Sequence, residues 1–278
     1  NKLNVDFREL IFRDKVFKNL SINGFNSKKY FIFNDISVAS KEVSISASGK
    51  VEFNNISSFD IKLNSPNVEN LLNYWNYNHS LRDSSTSSIF NINWQGNLLD
   101  FELDKVYGKF TVNMVNGRLK KIGNRASRIF GLFNIDLLTK RLSLDFDDVT
   151  KNGFYFNSLD GDFRIDSGNI FTTNLLIKGP SAEILAVGTT NITDEIYNMK
   201  VVASPEFGET LPVIALLGGP ITAAATFAAE KLAKAFGKDI NNLIKVKYTV
   251  TGPWSNPIIK VVDKNNNALD GIEDLFIK

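Results

Sequence analysis

Apolar and polar residues alternate along most of this chain. Leu3, Val5 and Phe7 alternate with Asn4, Asp6 and Arg8. Val43, Ile45 and Ala47 alternate with serines, and Gly49-Lys50 reads as a turn into Val51 and Phe53. The same period of two recurs at Phe59, Ile61 and Leu63, at Phe90, Ile92 and Trp94, at Phe101 and Leu103, and at Phe110, Val112 and Met114. It continues through Leu142, Leu144 and Phe146, then Phe163 and Ile165. After a hairpin turn at 166–169 come Leu175 and Ile177, Ile184 and Ala186, Tyr197, Met199 and Val201, and finally Val246, Tyr248 and Val250. A period of two puts all the apolar residues of a strand on one face. Many short strands with short polar turns predict a mainly β protein with an antiparallel sheet, mostly a meander. No repeated strand–helix–strand unit appears, and the strand–turn rhythm recurs without a strict sequence repeat.

Three stretches interrupt the rhythm. Residues 66–88 predict a short helix over about 67–78 and then a polar loop. In residues 118–138, Ile122, Ala126, Ile129, Phe130, Phe133 and Leu137 share one helical face, while Arg118, Lys121, Arg125 and Arg128 share another, with Asn124 as a candidate N-cap. Such a helix suits an anionic lipid surface, and it equally suits packing across the sheet with a solvated basic face. Residues 210–229 carry no charge, a length near that of a membrane span, but Pro212, Gly218, Gly219 and Pro220 divide them. A broken helix pair fits better. From Pro220 an apolar stripe runs through Ile221, Ala224, Ala225, Ala228, Leu232, Ala235 and Phe236, with Lys231, Lys234 and Lys238 elsewhere. Beyond Val262 a polar linker leads to a small apolar end, read as a flexible tail over 263–278.

Composition changes this picture little. With 43% hydrophobic and 22% charged residues, 278 positions suffice for a folded interior. A net charge of +2 makes no demand for nucleic acid. There is no cysteine, so disulfides and thiolate sites are excluded. The chain opens directly on a strand without an initiator Met, which reads as a piece of a longer protein.

Catalytic chemistry finds little support. His79, the sole histidine, lies in a polar loop without a second histidine or a cysteine, which speaks against a zinc site and a Ser-His-Asp catalyst. Asp145, Asp147 and Asp148, and then Asp160, Asp162 and Asp166, miss calcium-loop spacing because Arg164 stands where an acidic ligand is needed. They read as the wet face of strands. No Gly-rich phosphate loop is present, and no cofactor is implied. What remains is a sheet with one large apolar face, which must close on itself, pack on a second sheet, or hold something apolar.

At this point the sequence resembles a known family. The run "GKFTVNMVNGRL", "RIFGLFNIDLLTKRLSLDFDDV" and "KNGFYFNSLDGDFRIDSGNIFTTNLLIKGPSAEI", with the later "VGTTNI", resembles the AsmA-like C-terminal region of the YhdP family of envelope proteins. The ending fits as well: "LLGGPITAAATFAAEKLAKAF" precedes "KYTVTGPWSNPII", with Gly252, Trp254 and Pro257. The likeness covers about residues 100–262, while residues 1–99 match in rhythm alone. The resemblance implies a twisted, partly open, taco-like β-groove with amphipathic helices inserted near 120–138 and 211–237. It implies a division into a groove segment, 1–99, continuing from a longer N-terminal part, the AsmA-like region, 100–262, and the tail. It further implies an inner-membrane-anchored protein in the periplasm of a Gram-negative bacterium, conducting phospholipids toward the outer membrane without catalysis.

On that reading the groove is lined by Phe101, Leu103, Phe110, Val112, Met114, Leu142, Leu144, Phe146, Phe163, Ile165, Leu175, Ile177 and Ile184. Membrane contact falls to Arg125, Arg128, Ile129, Phe130 and Phe133, and to Leu216, Leu217, Ile221, Phe227, Lys231 and Lys234. The partners would be phospholipid acyl chains and the inner leaflet of the outer membrane or a protein on that side. Three rival readings are a filled β-sandwich scaffold, an outer-membrane barrel and an envelope enzyme. Polar outward positions and helical inserts weigh against the barrel, and the lack of an acid, base or nucleophile constellation weighs against the enzyme.

Overall fold

The computed structural model describes residues 2–13, 15–53, 56–77, 81–119, 154–180, 182–205 and 246–262. They form one antiparallel sheet of 14 strands that does not close into a barrel. The strands are β1 (Lys2–Phe12), β2 (Lys15–Asn26), β3 (Tyr30–Ala39), β4 (Ser44–Glu52), β5 (Ile56–Ser65), β6 (Leu81–Arg82) and β7 (Ser85–Gln95). They continue with β8 (Val106–Leu119), β9 (Phe154–Asp166), β10 (Asn169–Lys178), β11 (Ala182–Asn191), β12 (Ile196–Pro205), β13 (Val246–Pro253) and β14 (Ile258–Val261). Each pairs with the next in sequence, except that β5 pairs with β7 and the two-residue β6 pairs with β8. Sequential pairing is what short polar turns between alternating strands dictate. The 166–169 hairpin follows the sequence: Ser167 and Gly168 both adopt positive φ, 50° and 80°, the two-residue turn that matches strand twist.

Pairing register keeps the apolar residues of successive strands on one face. Across one row run Ile36, Ala47, Ile61, Phe90, Phe110 and Phe163, each directly opposite the next. In β3 the alternation slips by one at Asn34-Asp35, between Phe33 and Ile36. A register shift there, a β-bulge, absorbs the extra residue and returns Ile36 and Val38 to the face of Phe31 and Phe33. The slip hides β3 from a period-two reading. β10 does the same between Thr172 and Leu175. The pairings around the two bulges correspond: Phe33 opposite Gly49, Ile36 opposite Ala47 and Val38 opposite Ile45 match Thr172 opposite Gly188, Leu175 opposite Ala186 and Ile177 opposite Ile184.

Two sequence expectations are corrected. Gly49-Lys50 is no turn, and β4 runs straight through it. Gly49 leaves room for a ring: a Cβ there would stand 2.5–2.8 Å from carbons of the Phe59 ring on the paired strand. Phe101 and Leu103 are not on a strand. Residues 98–100 and 103–105 are short 3-10 turns, the first closed by Asn97 and Asp100, whose side chains each accept a backbone N–H of the turn at 2.8 Å.

The predicted first helix is present as α1 (Val68–Tyr74). Asn67 caps it by accepting the Asn70 N–H at 3.0 Å. Asn76, at φ 55°, ends it, with the Tyr77 N–H donating to Leu72 at 2.8 Å and that of Asn76 to Asn73 at 3.0 Å. Val68 and Leu72 join a core cluster with Leu81, Met114 and Leu119 near the ends of β8 and β9, while Leu71 joins one with Leu20, Val38 and Val43 on β2 and β3 and before β4. In a flat sheet β2 and β8 would lie five strand spacings apart, about 24 Å, and a seven-residue helix is about 10 Å long. The sheet therefore curls over the face that carries α1.

The core sits on that inner face and is densest from β9 to β14. There Phe156, Leu159, Phe163, Leu175, Ile177, Ile184, Tyr197, Met199, Val201 and Tyr248 are all buried. Replacing Gly49 with Ala drives a methyl against the Ser58 carbonyl oxygen and the Phe59 ring and lowers stability by roughly 1–3 kcal/mol, read as a lower urea midpoint. Burial pushes the Tyr248 phenol up to about 12. Its proton is thus held more tightly folded than unfolded, so stability falls as pH rises from about 10 through about 12. Alkaline unfolding of Tyr248→Phe is expected to lose this component.

Candidate functional site

The inner face is the surface that sequence reasoning singled out, and the structure places its residues plainly. Phe110, Val112, Met114, Phe163, Ile165, Leu175, Ile177 and Ile184 all stand on it. Phe101 is half-buried, its ring edge-on to Trp94 at 5.1 Å, although it comes from a turn. Leu103 is a correction: it lies in a 3-10 turn and is 53% exposed. Leu142, Leu144 and Phe146 lie outside the described residues, as do Arg125, Arg128, Ile129, Phe130, Phe133, Leu216, Leu217, Ile221, Phe227, Lys231, Lys234 and His79.

The face is not uniform along the sheet. From β9 to β14 nearly every inward side chain is buried, with Leu159, Leu175 and Ala203 at 1% exposure. From β1 to β8 the inward face is mixed: Leu3, Val5 and Phe7, Ile22, Phe31, Ile36, Ile45, Ala47, Ile61, Phe90, Ile92, Phe110 and Val112 are half-buried, while Leu20, Phe33, Val38, Phe59, Trp94, Val106, Met114 and Leu119 are buried. Of the half-buried ones, Phe110 and Val112 are among the expected lining residues, and Leu3, Val5, Phe7, Ile45, Ala47, Ile61, Phe90 and Ile92 are marked in the sequence by alternation alone. Ile22, Phe31 and Ile36 carry no such mark, because the alternation of β2 and β3 slips.

Aromatic rings pave this face. One row runs Phe33, Phe59, Trp94 and Phe101 with centroids 5.6, 5.4 and 5.1 Å apart. A second runs Phe90, Phe110 and Phe163 at 5.6 and 4.8 Å, both pairs stacked. Several polar side chains on the buried face are satisfied within the protein. Ser57 donates to the Gly96 carbonyl at 2.8 Å, Thr86 to that of Asn113 at 2.9 Å, and Thr190 to that of Ile196 at 2.7 Å while accepting from the Trp254 indole. With their polar groups so engaged, the faces of these strands offer hydrocarbon. On α1, burial raises the Tyr74 phenol above its ordinary range, with Glu42 and Glu9 adding to the shift.

The outer face is polar and carries the carboxylates. Asp60 accepts from Asn91 at 2.6 Å, Asp160 from Asn113 at 2.9 Å and Asp162 from Asn174 at 2.7 Å. Asp160 and Asp162 are spent on cross-strand amides rather than converging on a common point. Among the described residues no group of three or more His, Asp or Glu side chains is placed to hold a metal ion. Among the same residues no helix is long and apolar enough to cross a membrane.

The chain is 27% identical over 203 residues to the intermembrane phospholipid transporter YhdP of Escherichia coli strain K12. That match takes in 72% of this chain and 16% of the relative, so the chain spans a small part of that protein's length. No solved structure matches. The family model described as YhdP protein matches residues 2–259, reaching through β1–β8 as well as the later strands, and the chain belongs to the YhdP family.

Proposed function

We propose that this chain conducts phospholipids, with their acyl chains lying against the inner face of β1–β8. The observation that carries this reading is the ring-paved apolar face of those strands, where Ile61, Phe90, Ile92, Phe110 and Val112 stand half-buried beside the buried Phe33, Phe59 and Trp94, set against the almost wholly buried face of β9–β14. A ~15-carbon acyl chain exposed to water costs on the order of 12 kcal/mol, and a continuous apolar lane removes most of that cost at each step of transfer. Such a lane needs no reacting group, in keeping with a non-catalytic role. Support comes also from the relative, whose name describes an intermembrane phospholipid transporter.

On this proposal the chain is the C-terminal part of an inner-membrane-anchored protein in the Gram-negative periplasm. Its β1–β8 face continues the lane from preceding strands. The packed face of β9–β14 is the stop at its end, next to the outer membrane or a protein there. Arg125, Arg128, Ile129, Phe130 and Phe133, together with Leu216, Leu217, Ile221, Phe227, Lys231 and Lys234, then meet the bilayer, cations at the headgroups and apolar residues below.

Ile61 and Phe90 point inward and Ile89, beside Phe90, points outward at 42% exposure. Ile61→Asp or Phe90→Asp is expected to lower the phospholipid recovered with the folded protein at least about fivefold, because hydrocarbon would lie against a carboxylate. Ile89→Asp leaves it unchanged. Native mass spectrometry, with circular dichroism as the folding control, makes the comparison, and equal loading of all three sinks the lane. In a second test, Arg125→Glu with Arg128→Glu reduces co-sedimentation with anionic liposomes, and unchanged co-sedimentation removes the surface role of that segment.

A further inference from the structure

In an antiparallel meander the connections alternate between the two margins of the sheet. The β1–β2 tip lies on the margin that holds α1, and the β7–β8 loop, 96–105, lies on the opposite margin with the 166–169 hairpin. Nevertheless the two meet. The guanidinium of Arg13, at the β1–β2 tip, donates one hydrogen bond to the Leu99 carbonyl at 2.6 Å and another to the carbonyl of Phe101. The two segments are 86–88 residues apart in sequence. The planar fork of an arginine suits such a double contact, and both bonds carry charge assistance.

The contact stands where access matters. It spans β1–β2 to β7–β8, the part of the sheet whose inner face keeps half-buried residues among its packed ones. Phe101, whose carbonyl it holds, has its ring in the aromatic row against Trp94. Ile11 and Leu99, next to the contact, are 66% and 68% exposed, so little packing reinforces it. It is polar, solvent-facing and made by one side chain, unlike the continuous ladders on either side. Water competes for each of its bonds, which makes it easy to open.

We propose that Arg13 is a clasp that joins the two margins over the β1–β8 face, and that it must release for a phospholipid to enter or leave that face sideways. This rests on the phospholipid reading above. Closed, the clasp keeps acyl chains under cover. Open, it frees the β1–β2 tip to swing away from the β7–β8 loop, uncovering Phe101 and the row behind it.

The test uses the full chain, which has no cysteine of its own. Uptake of a fluorescent phosphatidylcholine is followed from vesicles of phosphatidylcholine and phosphatidylglycerol. Arg13→Gln is expected to speed uptake roughly fivefold, the scale of losing an exposed charged contact. Arg13→Cys with Leu99→Cys, joined by a short reductant-cleavable bis-maleimide, is expected to take up lipid at least about tenfold more slowly than the unjoined pair, and to recover on cleavage. Joining that leaves uptake unchanged, with lipid still bound, overturns the clasp and leaves the lane standing. Failure of the thiols to join shows that the margins do not meet and also overturns the clasp. Efficient joining with no lipid bound to any form overturns the lane, and the clasp with it.

Discussion

An apolar face in water must be covered. That requirement governs this protein because its one sheet has a single apolar side and no second sheet among the described residues to cover it. Three coverings are available to such a face: the sheet's own curvature, its short helix and bulky inward side chains, or hydrocarbon from outside. The structure uses the first two unevenly. α1 draws β2–β4 toward β8–β9, and the β9–β14 face is sealed by residues such as Tyr197, Met199, Tyr248 and Trp254. Over β1–β8 the covering is incomplete, and the proposed function assigns the remainder to phospholipid.

Uniform sidedness demands that irregularities be corrected as they arise. The bulges in β3 and β10 do this, each at two outward polar residues, Asn34-Asp35 and Thr173-Asn174. The correspondence of the pairings around them shows one local solution used twice along the sheet. Glycines serve the same end by a different route. Gly49, Gly117 and Gly161 leave space for the rings of Phe59, Phe156 and Phe163 to lie flat on the sheet, where a Cβ would come within 3 Å of each ring. Flat rings widen the apolar floor without raising it.

Much of this was legible in the chain because a period of two is unambiguous where it is unbroken. β5, β7, β9, β11 and β12 stand where Phe59–Leu63, Phe90–Trp94, Phe163–Ile165, Ile184–Ala186 and Tyr197–Val201 placed them. The Ser167-Gly168 turn was legible because only a left-handed pair closes so tight a hairpin. β2 and β3 were illegible because of their slips, at Asn19 with φ 49° and at Asn34-Asp35, which break the alternation before it completes two cycles. Gly49-Lys50 imitates a turn because the ring that explains the glycine comes from another strand. Phe101 and Leu103 imitate a strand because the capping of Asn97 by Asp100 leaves no trace in hydrophobic period. The clasp at Arg13 could not be read at all, since nothing local links it to residues on the far margin.

The division of the inner face into an accessible part and a sealed part is the claim on which the account turns. It is tested most directly by photo-crosslinking, with a benzophenone amino acid placed at Phe90 in one protein and at Tyr197 in another, each purified from membranes. Phospholipid attached at position 90 and absent at position 197 is the predicted result. Absence at position 90 in a folded protein would mean that the β1–β8 face holds no lipid, and would contradict the account.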